Sequence, residues 1–317
     1  MQILILGGTA WLGREIAAEA LRRGHHVTCL ARGTSGSVPA GARLVRADRD
    51  APDGMDAVAE QHWDAVIDVS RQPGQVRRAV AALAGTAEHF TFVSSCSVYA
   101  DHAYPGADET AGLLPPLESD LMTSPDVYGE AKVACENAAR NAFGSDRSLI
   151  VRPGLIAGPG DITDRTGYWP LRFARPVADD GSVLIPDAPG LNAQVIDARD
   201  LAAWLVASAE LQLTGAFNAV GDVLSLAEHL EIARGVAGHA GPVLVLDQDE
   251  LAAADVNPWA GERSLPLWLP LPDFAGFTSR NNAAAKEAGL ALRPLAETLA
   301  DTLAWELATG PDRPRNA

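Results

Sequence analysis

Tyr128 and Lys132 lie four positions apart in the segment Asp126-Val-Tyr-Gly-Glu-Ala-Lys132. On a helix this spacing places both side chains on one face, about one turn from each other. A phenol ordinarily ionises near pH 10, and a neighbouring ammonium group favours the phenolate. The pair is therefore typical of a group that donates and accepts a proton near neutral pH. The alternative is an exposed helix face, because Tyr-x-x-x-Lys pairs are common by chance.

A cluster of hydroxyl groups strengthens the first interpretation. The apolar run that begins at Phe90 ends in Val93-Ser-Ser-Cys-Ser-Val-Tyr99. Ser94 and Ser95 thus follow directly on a predicted strand. In open α/β sheets, ligands bind outside the carboxyl ends of the strands. We expect these hydroxyl groups and the Tyr-Lys pair to serve one site.

The first thirteen residues predict a strand, a tight glycine turn and a helix. An apolar run at 2–6 is broken by Gly7 and Gly8, and a helical pattern starts at once. Glycines let the backbone approach a pyrophosphate, and the helix N-terminus supplies free N–H groups. The middle glycine of the usual three is an alanine, and a turn without a ligand is the alternative. The predicted cofactor contacts here are Gly7, Thr9, Ala10, Trp11, Leu12 and Gly13.

The end of the second predicted strand indicates which dinucleotide binds. An acidic residue would normally bind the adenosine ribose there, but the sequence has Ala31 followed by Arg32. An arginine fork matches a phosphate, so NADPH is favoured over NADH, although NAD stays possible. The alternative for Arg32 is a solvated loop charge. Asp48, after the third strand, could accept from the adenine amino group.

Strand-like and helix-like segments alternate through the first half of the chain. Strands are predicted at 2–6, 26–31, 42–47, 64–69, 89–95 and 148–152, and helices at 11–23, 53–62, 72–84 and 126–142. This alternation indicates α/β units in a Rossmann-type doubly wound parallel sheet, with a smaller, mostly C-terminal substrate-binding domain. The dinucleotide-binding domain is predicted at 1–155, with 194–220 returning to it, and the substrate-binding domain at 156–193 and 221–317.

Composition excludes several classes of partner. The 317 residues carry a formal charge of −16, which disfavours nucleic acid and anionic membranes. No apolar stretch approaches the roughly 18 residues that a membrane span requires. Cys29, Cys96 and Cys135 have no metal-binding spacing, and the histidines show none either, so no metal site is predicted. We expect a cytoplasmic protein with reduced thiols and a small-molecule substrate.

Together these motifs resemble the extended or atypical short-chain dehydrogenase/reductases, within the broad NAD-dependent epimerase/dehydratase family. The matching segments occur in family order and span nearly the whole chain. They are Gly7-Gly-Thr-Ala-Trp-Leu-Gly13, Val93-Ser-Ser-Cys-Ser-Val-Tyr99, Tyr128-Gly-Glu-Ala-Lys132, Arg152-Pro-Gly154, Gly158-Pro-Gly-Asp161 and Asp197-Ala-Arg-Asp-Leu-Ala202.

The resemblance implies a role for individual residues. Tyr128 would be the catalytic acid/base, Lys132 would hold the nicotinamide ribose, and Ser95 would bond to the substrate oxygen. Four residues in sequence, Pro153, Gly154, Leu155 and Ile156, would line the nicotinamide. The remaining predicted cofactor contacts are Arg49, Ser70 and Ser94.

Two departures from the family pattern narrow the function. Nucleotide-sugar epimerases usually carry an Arg-Asp pair where this chain has Ala193-Gln194, which weakens a UDP-sugar substrate. The turn with Ala10 resembles a subgroup that includes RNA-binding chloroplast proteins, and the charge of −16 argues against that role.

The segment 158–169 is too polar and aromatic for an ordinary core, and we expect it to lie over the reactive end of the cofactor. The predicted substrate contacts are Asp161, Arg165, Tyr168, Trp169 and Gln194. The alternative for 158–169 is a surface loop in which Trp169 fills the core. A second stretch, 257–270, contains Trp259 and Trp268, which either cover a ligand or close the smaller domain.

The sequence thus predicts an NADP-dependent oxidoreductase that acts on a small carbonyl or alcohol. One alternative is an epimerase or dehydratase that keeps NAD(P) bound, and another is a non-catalytic NADP-binding or RNA-binding scaffold. A homodimer through the predicted helix 126–142 is possible.

Overall fold

The computed structural model describes residues 1–310, and the last seven residues of the predicted substrate-binding domain lie outside the described residues. The strands are β1 (Gln2–Leu6), β2 (His26–Ala31), β3 (Arg43–Arg46), β4 (Ala65–Asp68), β5 (Phe90–Val93), β6 (Ser148–Val151), β7 (Leu155–Ala157), β8 (Val183–Pro186), β9 (Asn192–Ala193), β10 (Val195–Asp197), β11 (Gly215–Phe217), β12 (Leu224–Ser225), β13 (Val243–Leu246), β14 (Asn257–Pro258) and β15 (Ser264–Leu265). The helices are α1 (Trp11–Arg22), α2 (Asp56–Ala59), α3 (Pro73–Leu83), α4 (Tyr128–Phe143), α5 (Arg165–Ala174), α6 (Ala198–Glu210), α7 (Leu226–Ala237), α8 (Gln248–Ala253), α9 (Ala283–Glu287) and α10 (Leu295–Thr309).

Seven parallel strands form the central sheet, in the order β11-β6-β5-β4-β1-β2-β3. The predicted Rossmann-type fold class is confirmed. Strand β1 is an interior strand, between β4 and β2, and its residues are apolar on both faces. Ile3 and Ile5 pack with the core on the α1 and α6 side, whereas Leu4 and Leu6 pack with the core that includes residues of α3 and α4.

All six predicted strands occur, each within about two residues of its expected bounds. The largest change is at β5, which ends at Val93, because Ser95 caps a short 3-10 turn at Cys96–Val98. The predicted helix 126–142 begins at Tyr128, after a 3-10 turn at Pro125–Val127 that Ser124 caps. The predicted helix 53–62 is a single turn, α2.

A separate apolar core lies outside the central sheet. Its main helices, α5, α7 and α10, pack against one another. Strand β8 pairs in parallel with β13 beside them. The segment 194–220 is divided between partners. Strand β10 pairs with β7 and not with the large sheet, while α6 packs on α1 and β11 forms the sheet edge beside β6.

Within residues 1–310, no helix has both the length and the apolar character that crossing a membrane requires.

Candidate active site

The glycine turn connects β1 to α1 at the carboxyl edge of the sheet. Gly7 has a φ of 96°, which favours glycine, and its N–H donates to the Leu30 carbonyl at 3.0 Å. A Cβ on Gly13 would overlap the Gly7 carbonyl oxygen, so helix and turn pack backbone to backbone. Ala10 at the N-cap provides no side-chain cap, which leaves the first helical N–H groups available to an anion.

Trp11 and Leu12 hold this turn in place. The Trp11 indole N–H donates to the Pro159 carbonyl at 2.9 Å, which ties α1 to the loop after β7. Leu12 packs against the core on the α1 side. Thr9 is buried and Ala10 is exposed.

A cleft extends from this turn across the ends of β2, β3 and β4. Arg32 is exposed at its rim and Asp48 accepts the N–H of Asp50 at 3.0 Å. The donor set is that of a dinucleotide site, with backbone N–H groups, short hydroxyl side chains and an arginine that has no ion-pair partner within residues 1–310, so these residues fit the predicted cofactor. The cleft is lined by Gly7, Thr9, Ala10, Leu30, Ala31, Arg32, Thr34, Ser35, Ala47, Asp48, Arg49, Ser70 and Gln75.

The floor of this cleft is a buried ion pair that the sequence did not reveal. Arg49 binds both carboxylate oxygens of Asp68 at 3.0 and 2.7 Å, and it also contacts the Ser70 hydroxyl. Burial alone would raise the pKa of Asp68, but Arg49 and Ser70 hold that pKa below its usual range. Both terminal nitrogens of Arg49 thus bind within the protein, where they fix Ser70, and Arg49 also lines the cleft.

Tyr128 and Ser95 line a second cleft, on the other side of residues 70–71. Tyr128 opens α4 and is half-buried, and Ser95 caps the 3-10 turn that follows β5. The Ser95 hydroxyl lies 3.1 Å from that of Ser97. Cys96 also lines this cleft, but burial raises the pKa of its thiol to about 12, so it stays protonated and is a poor nucleophile.

Lys132 lies between the two clefts. It is 3% exposed, and its ammonium group donates to the carbonyls of Ser70 and Val93, both at 2.7 Å. Its Nζ lies 5.9 Å from the centre of the Tyr128 ring. An ammonium group has three N–H donors, so one is left for a further acceptor.

Ser94 is part of a buried network behind the site. Its hydroxyl donates to Glu136 at 2.6 Å, and Glu136 also binds Arg152 at 2.9 and 2.8 Å. Arg152 in turn donates to the Tyr99 hydroxyl at 3.1 Å. The network joins α4 to the ends of β5 and β6, which fixes the helix that carries Tyr128.

The segment from Pro153 to Ile156 forms a backbone wall. Pro153 is buried and its carbonyl accepts the N–H of Cys96 at 2.9 Å. Gly154 and Leu155 line the same cleft as Tyr128, and Ile156 is half-buried against the sheet core.

The predicted substrate residues differ in whether they line this cleft. Arg165 lines the cleft with Tyr128, and its guanidinium lies 5.0 Å from the Trp259 ring centre. Trp169 is fully buried and donates to the Pro266 carbonyl at 2.8 Å, so the structure places it in the core. Tyr168 packs edge-on against Trp169.

Asp161 and Gln194 have their polar atoms engaged within the protein. Both oxygens of Asp161 accept hydrogen bonds, from Thr163 and Thr166. The Gln194 amide donates to the carbonyls of Gly221 and Arg280 and accepts the N–H of Arg280. Gln194 lines the cleft while it connects distant loops.

Several cleft residues come from loops whose role no local motif indicates. They are Arg71, Met122, Pro125, Thr163, Phe277 and Thr278. Met122 and Pro125 lie shortly before Tyr128 in the chain, whereas only the tertiary fold brings the other four to the site.

One group in the described part of the chain has the composition of a metal site, formed by His62, Asp64 and Glu88. It is at the amino edge of the sheet, before β4 and β5, and is mostly exposed. The His62 imidazole lies 3.5 Å from Asp64 and 3.4 Å from Glu88, the geometry of a surface ion pair.

Comparisons with known proteins agree with this architecture. The model of the NAD dependent epimerase/dehydratase family matches residues 3–88. An isoflavone reductase homolog of Zea mays is 44% identical over 50 residues, which are 16% of this chain and 16% of that protein. The chain therefore aligns with about a sixth of the length of that curated relative.

Solved structures match over nearly the full length. The UDP-Glc/GlcNAc 4-epimerase of Campylobacter jejuni has a TM-score of 0.72 at 17% identity, covering 97% of this chain and 99% of its own. The UDP-N-acetylglucosamine 4-epimerase of Bacillus cereus has a TM-score of 0.69 at 17% identity, covering 99% and 98%. The UDP-glucuronic acid 4-epimerase of Bacillus cereus, in complex with NAD, has 0.69 at 15%, covering 98% and 99%. The predicted resemblance to this family is confirmed by sequence over residues 3–88, and the solved structures show that this chain shares their fold.

Proposed function

We propose that this protein is an NADPH-preferring reductase of a small carbonyl substrate. The observation that carries the proposal is one cleft that combines Ser95, Tyr128 and the backbone at Gly154–Leu155, next to a dinucleotide-type cleft. The two clefts meet at residues 70–71, where Lys132 donates to the Ser70 carbonyl.

The residues would act as follows. When bound, the nicotinamide supplies the hydride that reduces the carbonyl carbon. Ser95 donates a hydrogen bond to the substrate oxygen and fixes its position. Tyr128 delivers the proton to that oxygen as the carbon–oxygen double bond becomes a single bond. Lys132 stabilises the phenolate left on Tyr128, and solvent returns its proton.

The preference for NADPH rests on Arg32. It is exposed at the cleft rim, and no carboxylate within residues 1–310 pairs with it, so its guanidinium is free for a ribose phosphate. Ala31, beside it, lacks the carboxylate that would repel such a phosphate.

An epimerase or dehydratase with retained NAD(P) is the second candidate, favoured by the family match at residues 3–88. A nucleotide-sugar substrate is less well supported. Ala193 is buried at 2% exposure and Gln194 is engaged by Gly221 and Arg280, so this position offers no cation for a diphosphate.

The catalytic assignment is tested by Tyr128→Phe, with Tyr168→Phe as the matched control on α5. NADPH oxidation is followed at 340 nm with a panel of small aldehydes and ketones, and NADPH affinity by fluorescence. We expect Tyr128→Phe to abolish turnover without changing NADPH affinity, and Tyr168→Phe to retain activity. Unchanged turnover in Tyr128→Phe would remove this residue from the mechanism.

We also propose a cytoplasmic homodimer that pairs through α4. The three cysteines are buried and unbridged, as expected of a reducing compartment.

The proposed dimer contact is a surface groove between α3 and α4. It is lined by alanines, including Ala81, Ala134 and Ala138, which allow close helix approach. Light scattering at micromolar concentration would give twice the chain mass of 33.2 kDa if this is right.

A further inference from the structure

Arg165 is a cation in the candidate active-site cleft that has neither a hydrogen-bond acceptor nor an ion-pair partner within residues 1–310. It is the first residue of α5, half-buried, in the cleft wall shared with Ser95 and Tyr128. Across residues 1–310, no carboxylate forms an ion pair with it and no group accepts its hydrogen bonds. Burial lowers the pKa of Arg165, while the nearby Asp161 and Tyr128 oppose that shift. The charge is thus partly desolvated and close to the proposed proton donor.

Asp161, whose charge acts on Arg165, directs its oxygens to other donors. Asp161 Oδ1 accepts the Thr163 N–H at 2.8 Å and the Thr163 hydroxyl at 2.6 Å. Its Oδ2 accepts the Thr166 hydroxyl at 2.8 Å. Asp161 therefore shapes the start of α5, and within residues 1–310 it does not form an ion pair with the Arg165 guanidinium.

The neighbour that orients Arg165 is Trp259. The guanidinium lies 5.0 Å from the indole ring centre, within the range of a cation–π contact. This contact is with the ring and uses no hydrogen-bond acceptor, and within residues 1–310 no group accepts a hydrogen bond from the guanidinium N–H donors. That fork matches the two oxygens of a carboxylate or phosphate.

The rest of the cleft is suited to an apolar body. Met122, Leu155, Trp259 and Phe277 line it, and Trp259 packs edge-on against Phe277 at 5.2 Å. Arg71 adds a second positive charge at the exposed rim. In a chain of net charge −16, these arginines make the cleft a local exception that attracts anions.

We propose that Arg165 binds the anionic group, a carboxylate or a phosphate monoester, of a substrate whose apolar body lies against Trp259 and Phe277. The carbonyl of the same molecule reaches Ser95 and Tyr128. The carbonyl part rests on the proposed function, whereas anion binding by Arg165 can be measured without it.

The test is calorimetric titration of the full chain, with and without saturating NADP⁺, using three probes of one shape. Phenylacetate and phenyl phosphate are anions, and phenylacetamide is the neutral analogue. We expect at least one anion to bind, and the amide to bind at least tenfold more weakly. Arg165→Gln should weaken the anion at least tenfold and leave the amide unchanged. The tighter of the two anions identifies the group that the site selects.

Arg172→Gln is the matched control. It removes the same charge from the same helix, but Arg172 stacks on Tyr168 and does not line the cleft. We expect it to bind the anion as the wild type does. Should Arg165→Gln fail to fold, Arg165→Lys carries the test, and a loss of at least threefold for the anion with none for the amide is expected, because lysine lacks the fork.

Four results would overturn the proposal: no anion binding to the wild type, equal binding of amide and anion, equal losses in the Gln variants of Arg165 and Arg172, or a larger loss in Arg71→Gln. Anion binding that depends on Arg165 in a protein that binds neither NADPH nor NADH would refute the reductase and leave the anion site standing.

Discussion

Lys132 illustrates how single side chains define this site. Its ammonium group is held by the Ser70 and Val93 carbonyls, which follow β4 and end β5. It thereby fixes the boundary between the dinucleotide cleft and the Tyr128 cleft. Arg49 acts similarly from below, because its ion pair with Asp68 positions Ser70. Two cations thus organise the middle of the site from inside the protein.

Arg32 differs from both, because within residues 1–310 it has no ion-pair partner, and we propose that it binds the 2′-phosphate of NADPH. Arg32→Ala should weaken NADPH binding about tenfold or more and leave NADH binding nearly unchanged, since only NADPH carries the 2′-phosphate. Fluorescence titration with both cofactors measures this. Arg43→Ala, an exposed arginine at the start of β3, is the control and should change neither affinity. Equal losses for both cofactors would refute the phosphate role.

Glu136 carries the buried network behind Tyr128. Glu136→Gln removes the charge that compensates Arg152 and should lower the free energy of unfolding by about 3–5 kcal/mol. Denaturant titration measures the loss. Arg140→Gln is the control, because Arg140 contacts Glu136 at 3.2 Å from a 36% exposed position and should cost under about 1 kcal/mol. A Glu136 variant no less stable than this control would contradict the account.

Among the elements, the turn between β1 and α1 shows the strictest steric requirement. Gly13→Ala would push a Cβ into the Gly7 carbonyl and the Gly8 Cα. We expect lower thermal stability and at least a tenfold loss of NADPH affinity, because the helix must move away from the turn. Gly235→Ala on α7 is the control. A Cβ there meets nothing within 4 Å, so it should stabilise by about 0.5–1 kcal/mol. Unchanged cofactor binding by Gly13→Ala would contradict this role for the turn.

Local patterns predicted the elements well, since burial on both faces makes parallel strands such as β1 continuous apolar runs. They also predicted that Ser95 and Tyr128 would share a site, because both stand at strand or helix ends on one edge. They did not reveal the partners of Arg49 or Glu136, which depend on sheet order. Nor did they separate Trp169 from Trp259. Both occur in polar stretches of the sequence, and only the fold places Trp169 in the core, on α5, and Trp259 against Arg165.

At the scale of the whole molecule, the region of the separate core formed by α5, α7 and α10 contains a buried titratable group. His229 on α7 is 1% exposed, and neither ring nitrogen has a partner within the described residues. Burial lowers its pKa from 6.5 to about 4. In the unfolded chain His229 therefore binds a proton near pH 6.5, whereas in the folded protein it binds one only near pH 4. The free energy of unfolding is therefore unaffected by the titration of His229 above pH 6.5 and decreases as the pH falls from 6.5 toward 4.

His229→Leu should flatten this dependence. From the shift of 6.5 to about 4, the wild type should lose about 3 kcal/mol more than the variant between pH 7 and pH 4. Denaturant titration at both pH values measures the difference. His62→Gln, at an exposed histidine, should retain the wild-type slope. Parallel curves for wild type and His229→Leu would show that this residue does not set the acid sensitivity.

The central claim is that this protein is a reductase that binds NADPH reversibly. It is tested most directly by the cofactor state of freshly purified protein. The protein is denatured, the supernatant is assayed for NAD(P), and a second sample is titrated with NADPH and NADH. We predict an empty site that binds NADPH reversibly and more tightly than NADH. Retained, non-exchanging NAD(P)⁺ would contradict the reductase and favour an epimerase or dehydratase, and binding of neither cofactor would contradict both.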